Sequence, residues 1–125
     1  MPANSVLFIG SKQLGLQVLR TMHRRAPRLL VGSMTIDDRT DRRSAHDGFV
    51  DFCAAQGLPL FVVPDRQQAE QTIARLQPDL CIVVGWYWLI TDHTLRSVPR
   101  GFVGIHNSKL PAYRGGSPLA LSHRW

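Results

Sequence analysis

A chain of 125 residues, 44% hydrophobic and 19% charged, fits one globular domain with a lean core and excludes a disordered or fibrous class. The formal net charge of +6 is carried almost wholly by arginine and favours anionic partners. The densest basic cluster, Arg20, Arg24, Arg25 and Arg28, has no interleaved aromatics and gives a weak nucleic-acid signal, and no apolar run is long enough to span a bilayer.

The first residues carry no charged leader, and Cys53 and Cys81 sit far apart in apolar stretches without metal-ligand spacing. They read as reduced, buried thiols of a cytoplasmic protein that binds no metal. Residues 6–9 form a short continuous apolar run ending at Gly10, the pattern of a strand buried on both faces. Leu16, Leu19 and Met22 then recur at helical spacing over 14–24, before Pro27. Residues 28–36 predict a second strand, interrupted by Gly32. The stretch 37–43 is polar throughout and reads as a mobile loop.

Ala45, Phe49, Phe52 and Cys53 predict a second helix, with Gly57 where a C-cap falls. A third strand is expected over 58–63 and a third helix over 66–76, stopped by Pro78. The apolar run 79–85 predicts a fourth strand, 92–97 a short helix, and 102–105 a fifth strand. Strands alternating with helices imply βαβ units: an α/β, Rossmann-like, doubly wound and mostly parallel sheet with helices on both faces. The chain reaches Trp125 with apolar residues still recurring, which reads as a cut through a helix.

In such a sheet, ligands sit outside the carboxyl ends of the strands. Three loops fall there. Gly10, Ser11 and Lys12 follow the first strand and are candidates to hold an anionic substrate group, although the segment is neither a GxGxxG fingerprint nor a P-loop. A plain βα turn is the simpler reading. Trp86, Tyr87 and Trp88, with Leu89 and Ile90, follow the fourth strand; alternation cannot bury all three aromatics on one face, and flat aromatic walls suit a planar ring. The third loop begins at His106, which leaves an apolar strand into a polar, proline- and glycine-rich segment. His23, His46, His93 and His123 read as surface residues.

That third loop, HNSKLPAYRGGSP, resembles the H-x-S-L-L-P-x-x-R-G-x-x-P segment of the formyltransferase family. The preceding VVGWYWLITDHTLRSVPRGFVGIH is similar to the family's strand, folate loop, short helix and next strand. The opening VLFIGSKQLGLQVL matches more loosely. The resemblance implies transfer of a formyl group from 10-formyltetrahydrofolate to an amine of an anionic substrate. It assigns catalysis to His106, with Asn107 as a substitute donor. It assigns folate binding to Trp86, Tyr87, Trp88, Leu89, Ile90, Ser108, Lys109, Leu110 and Pro111. Gly10, Ser11, Lys12 and Arg114 are assigned to the substrate. The RGGSPL ending looks more like amino-sugar members of the family than its tRNA enzyme, while tRNA stays among the candidate acceptors.

Two departures stand out. Gly104 occupies the position of the family's asparagine, and Lys109 replaces a usual leucine. No Asp or Glu follows Asp92, so the carboxylate the family uses as base is expected beyond Trp125. The chain is therefore expected to be the front part of the catalytic domain, with little or no turnover alone. An uncovered sheet edge further predicts self-association as a homodimer. A non-catalytic folate- or nucleotide-binding module is the alternative. A dinucleotide-binding domain is a third reading, disfavoured by the missing GxGxxG but allowed by Asp37 and Asp38 after the second strand.

Overall fold

The computed structural model describes residues 4–105. In chain order they form β1 (Val6–Gly10), α1 (Lys12–Arg25), β2 (Leu30–Ile36), α2 (His46–Gln56), β3 (Leu60–Val63), α3 (Arg66–Leu76), β4 (Leu80–Val84), α4 (Asp92–Ser97) and β5 (Phe102–Ile105). The strands make one sheet, ordered β3-β2-β1-β4-β5, and every pairing is parallel. The chain winds from β1 out to β3, crosses back to β4, and winds out to β5. This is the doubly wound α/β layout expected from the sequence.

Opposite winding directions with right-handed crossovers place helices on opposite faces. One core accordingly joins Val6, Phe8 and Val84 to Leu16 and Leu19 of α1 and to Phe49 and Cys53 of α2. The other joins Leu7, Ile9, Met34, Cys81 and Val83 to Ala69 and Ile73 of α3, with Val98 and Phe102. β1 sits between them with all five residues buried, which is why its sequence shows no alternation. Both cysteines are free and buried, and burial pushes the Cys53 thiol up to about 11.

Local chemistry fixes the element ends. The Asp65 carboxylate accepts from the Gln68 N–H at 2.8 Å and caps α3. The chain leaves α2 through Gly57, at φ 66°, and leaves α3 through Gln77, at φ 48°. The glycine was legible as a cap; the glutamine was not. α1 starts at Lys12 rather than residue 14, because its first turn is polar and shows no apolar period. The polar stretch after β2 lacks apolar anchors, yet it is cross-linked within itself. Arg39 donates to Asp37 through two nitrogens at 2.8 and 2.6 Å, and Arg43 pairs with Asp41 at 3.0 Å.

Gly10 and Gly57 are glycines for different reasons. A Cβ at Gly10 would lie 2.6 Å from the Val84 carbonyl oxygen and 2.8 Å from the Phe8 ring, whereas one at Gly57 meets nothing within 4 Å. Gly10→Ala is therefore expected to cost about 2–3 kcal/mol through forced backbone displacement. Gly57→Ala should cost about 1 kcal/mol, the left-handed penalty alone. Urea midpoints of the two variants, taken side by side, check the order.

Candidate functional site

The strand order reverses between β1 and β4, so the carboxyl ends of these two strands open the crevice where such sheets place ligands. The two loops leaving that point are joined to each other. The Ser11 N–H donates to the Val84 carbonyl at 3.1 Å, and the Ser11 hydroxyl donates to the Gly85 carbonyl. Gly85 has φ 64°, and a Cβ there would sit 3.2 Å from the Ser11 carbonyl oxygen. Gly10 is buried and Ser11 is 1% exposed. Both therefore form the floor of the crevice, and the Ser11 hydroxyl is already occupied.

Lys12 lies above them with φ 63°, a left-handed conformation that costs a side-chain-bearing residue of order 1 kcal/mol. Its ammonium lies 4.0 Å from the centre of the Tyr87 ring, donates to the Tyr87 oxygen, and stands 3.7 Å from Asp38 and 3.6 Å from Asp41. The Tyr87 hydroxyl donates to Asp38 at 2.7 Å, and Asp38 also accepts from the Ser44 hydroxyl at 2.6 Å. One network thus ties together the loops after β1, β2 and β4. Its hub is Asp38, which is only 7% exposed. Sequence reading noted Asp38 only as a possible ribose contact; both of its carboxylate oxygens are engaged within the protein.

The residues expected to wall a planar ring divide between the two sides of the sheet edge. Trp86 and Trp88 stand edge to face, with centroids 5.3 Å apart, and rest on the core beneath α3 and α4. Tyr87 points the other way, to Lys12 and Asp38. Ile90 is buried in that same core, and Leu89 is 65% exposed. The far foot of this turn is held by Glu70 of α3, which accepts from the Thr91 N–H at 3.0 Å, the Thr91 hydroxyl at 2.8 Å and the Thr94 hydroxyl at 2.9 Å. Burial pushes the Glu70 carboxyl up, but these three donors outweigh it and hold it below the ordinary range.

On the α1 and α2 side, a cavity of about 410 Å³ is lined by Gln13, Arg39, Arg42, Ser44, Asp47 and Gly48. Arg42 forms no ion pair among the described residues. Sequence reasoning missed this cavity, since it read the loop after β2 as a mobile polar stretch. The recurring Asp-x-Arg spacing at Asp37/Arg39 and Asp41/Arg43 was the available signal. The cluster Arg20, Arg24, Arg25 and Arg28 falls at and beyond the C-terminal half of α1, away from this edge. Among the described residues no group of three or more His, Cys, Asp or Glu could hold a metal. His106, Asn107, Ser108, Lys109, Leu110, Pro111 and Arg114 lie outside the described residues. β5 pairs Ile105 with Val84, so the last described residue of β5 stands beside the strand end that leads into the tryptophan turn.

Comparison with known proteins decides the family: residues 28–124 match the family model described as formyl transferase. The chain belongs to the formyl transferase family. It is 31% identical over 120 residues to a methionyl-tRNA formyltransferase of Chloroflexus aggregans, covering 92% of this chain and 38% of that protein. The corresponding protein of Mycoplasma pneumoniae is 27% identical over 117 residues, covering 91% of this chain and 38% of the relative. That of Corynebacterium glutamicum is 43% identical over 60 residues, covering 48% of this chain and 19% of the relative. This formyl transferase chain therefore spans less than two-fifths of the length of these relatives.

The Asp38 hub has a measurable signature. Burial, then the hydrogen bond donated to Asp38, then the charges of Asp38 and Asp41 push the Tyr87 phenol well above its ordinary value of 10. A proton held more tightly in the folded state stabilises that state fully below pH 10, and this stabilisation is lost as pH climbs above 10 toward the folded value. Absorbance titration should show one of the two tyrosines still protonated near pH ~11. In Asp38→Asn its ionisation should move back toward the ordinary range. Tyr87→Phe should lower stability by about 1–2 kcal/mol by removing a donor from the buried carboxylate.

Proposed function

We propose that this chain is the folate-binding, histidine-bearing part of an enzyme that moves a formyl group from 10-formyltetrahydrofolate to an amine of an anionic substrate. The single observation that carries the reading is positional. The turn of Trp86, Tyr87, Trp88 and Leu89 stands at the strand reversal, and Ile105 of β5, the residue before His106 in the sequence, pairs with Val84 at the end of β4. The family membership supports the same chemistry. The donor's pterin would lie against the tryptophan turn and the segment of Ser108, Lys109, Leu110 and Pro111. His106, assisted by Asn107, would donate to the formyl oxygen as the tetrahedral oxyanion develops. The amine must attack unprotonated, and its proton then passes to a base, the role the family gives to a carboxylate; collapse of the tetrahedral centre breaks the bond from the formyl carbon to the folate nitrogen, which leaves protonated. Gly104 brings no side chain to this site, so donation to the oxyanion falls more heavily on the residues after Ile105.

The anionic part of the acceptor fits the cavity beside Arg39 and Arg42, with Lys12 and Arg114 as further contacts. Lys12 already faces Asp38 and Asp41, so its charge is largely answered from within the protein. The lining is close to charge-balanced, which supports a compact acceptor such as an amino-sugar nucleotide over a long polyanion. An aminoacyl-tRNA is the second reading, favoured by the names of the relatives from Chloroflexus and Mycoplasma. A folate-binding module without turnover is the outcome if no carboxylate completes the site. We place the protein in the cytoplasm on its free, buried thiols; no helix among the described residues is long and apolar enough to cross a membrane.

Titration with a stable reduced folate, 5-formyltetrahydrofolate, should quench tryptophan emission saturably, and Trp86→Ala should weaken binding by about ten-fold through lost stacking. A formyl-transfer assay on the 125-residue chain should give little or no product with either acceptor class. Absence of folate binding would refute the assignment. Rapid transfer would refute the need for a further carboxylate.

A further inference from the structure

Two side chains that line the cavity beside Arg39 and Arg42 also belong to the Asp38 network. The Ser44 hydroxyl donates to Asp38 at 2.6 Å, and the Asp41 carboxylate stands 3.6 Å from the Lys12 ammonium. Asp38 and Lys12 are in turn the two partners of the Tyr87 hydroxyl, in the middle of the tryptophan turn. Direct polar contacts therefore run from the cavity wall to the turn by two routes, through Asp38 and through Lys12. The other side-chain ties of this segment are local. Asp37 with Arg39 and Asp41 with Arg43 are pairs two residues apart, and both arginines are more than half exposed. Exposed pairs of that kind are screened and hold little. The buried link at Asp38 is the one that fixes the segment to the rest of the crevice.

Given the places assigned above to acceptor and donor, we propose that Asp38 is a positioning residue: through Tyr87 it couples an anion in the cavity to the setting of the tryptophan turn. The difference between the empty and the filled cavity lies in residues 37–45. Arg42 forms no ion pair among the described residues, and an anion gives it and Arg39 a shared counter-charge. The Asp41 charge opposes that anion, but Lys12 and Arg43 already answer it. A filled cavity thus narrows the conformations open to the segment, and Asp38 and Ser44 are narrowed with it. Tyr87 is 42% exposed, so its direction rests on Asp38 and Lys12. Trp86 and Trp88 flank it in the chain and follow the same backbone. Order gained with the first ligand is not charged again to the second, so the acceptor's anionic group and the reduced folate strengthen each other's binding. Linkage makes the effect equal in both directions.

Inorganic pyrophosphate, titrated into isotope-labelled protein and followed by NMR, tests the path without folate. In the parent chain the amide signals of Arg39 and Arg42 and the indole signals of Trp86 and Trp88 should move on one saturation curve. In Asp38→Ala the loop signals should still move while the indoles stay still. Tyr87→Phe, which loses only the hydroxyl, should do the same and keeps the test valid if Asp38→Ala unfolds. With 5-formyltetrahydrofolate, saturating pyrophosphate should tighten binding about five-fold in the parent and leave it unchanged in Tyr87→Phe. A merely structural role for Asp38 would weaken folate binding equally with and without pyrophosphate, and that outcome would overturn the proposal. Shifts confined to the loop in the parent, or no saturable shift, would overturn it equally. Indole shifts with pyrophosphate but no folate binding would refute the donor assignment and uphold the coupling of cavity to turn.

Discussion

The structure depends on the joint between the loops after β1 and β4. Two strands that diverge in winding direction must separate at their carboxyl ends, and here a serine keeps them in register. Ser11 offers its N–H to Val84 and its hydroxyl to Gly85, so a single residue answers two carbonyls across the reversal. That closeness is possible only because Gly10 and Gly85 have no Cβ to fill the gap. The crevice is therefore shaped by backbone contact more than by side chains. Its upper tier is polar, with the carboxylate of Asp38 receiving hydroxyls from Tyr87 and Ser44.

Most of the fold was legible in the sequence. The third helix, the short fourth helix and the fifth strand fall on their expected bounds, because Pro78 and the apolar runs mark them sharply. Strand periodicity was readable because a parallel sheet buries both faces. The start of α1 was not, since Lys12 enters the helix with a positive φ that no local pattern announces. Gln77 was missed as a cap for a similar reason, as a left-handed glutamine whose N–H donates to the Ile73 carbonyl carries no sequence mark of the kind a glycine gives.

The site was legible in part. Loop position follows from alternating elements, so placing the tryptophan turn at the carboxyl edge of the sheet required only the sequence. Which way each aromatic points did not follow. Trp86 and Trp88 rest on one core, while Tyr87 crosses to the partners of Asp38, and that partition depends on contacts distant along the chain. The loop after β2 was legible as a polar loop but not in its order: it is held by ion pairs two residues apart, and polar sequences of this kind look alike whether or not they close on themselves.

The aromatic turn is pinned at both feet, by Ser11 at Gly85 and by Glu70 at Thr91. Between these piers Leu89, 65% exposed, can be exchanged at little cost, while Trp86 and Trp88 are anchored on the core and Tyr87 on Asp38. Variation along the turn is thereby channelled to its most exposed position, and the backbone path stays set by the two piers.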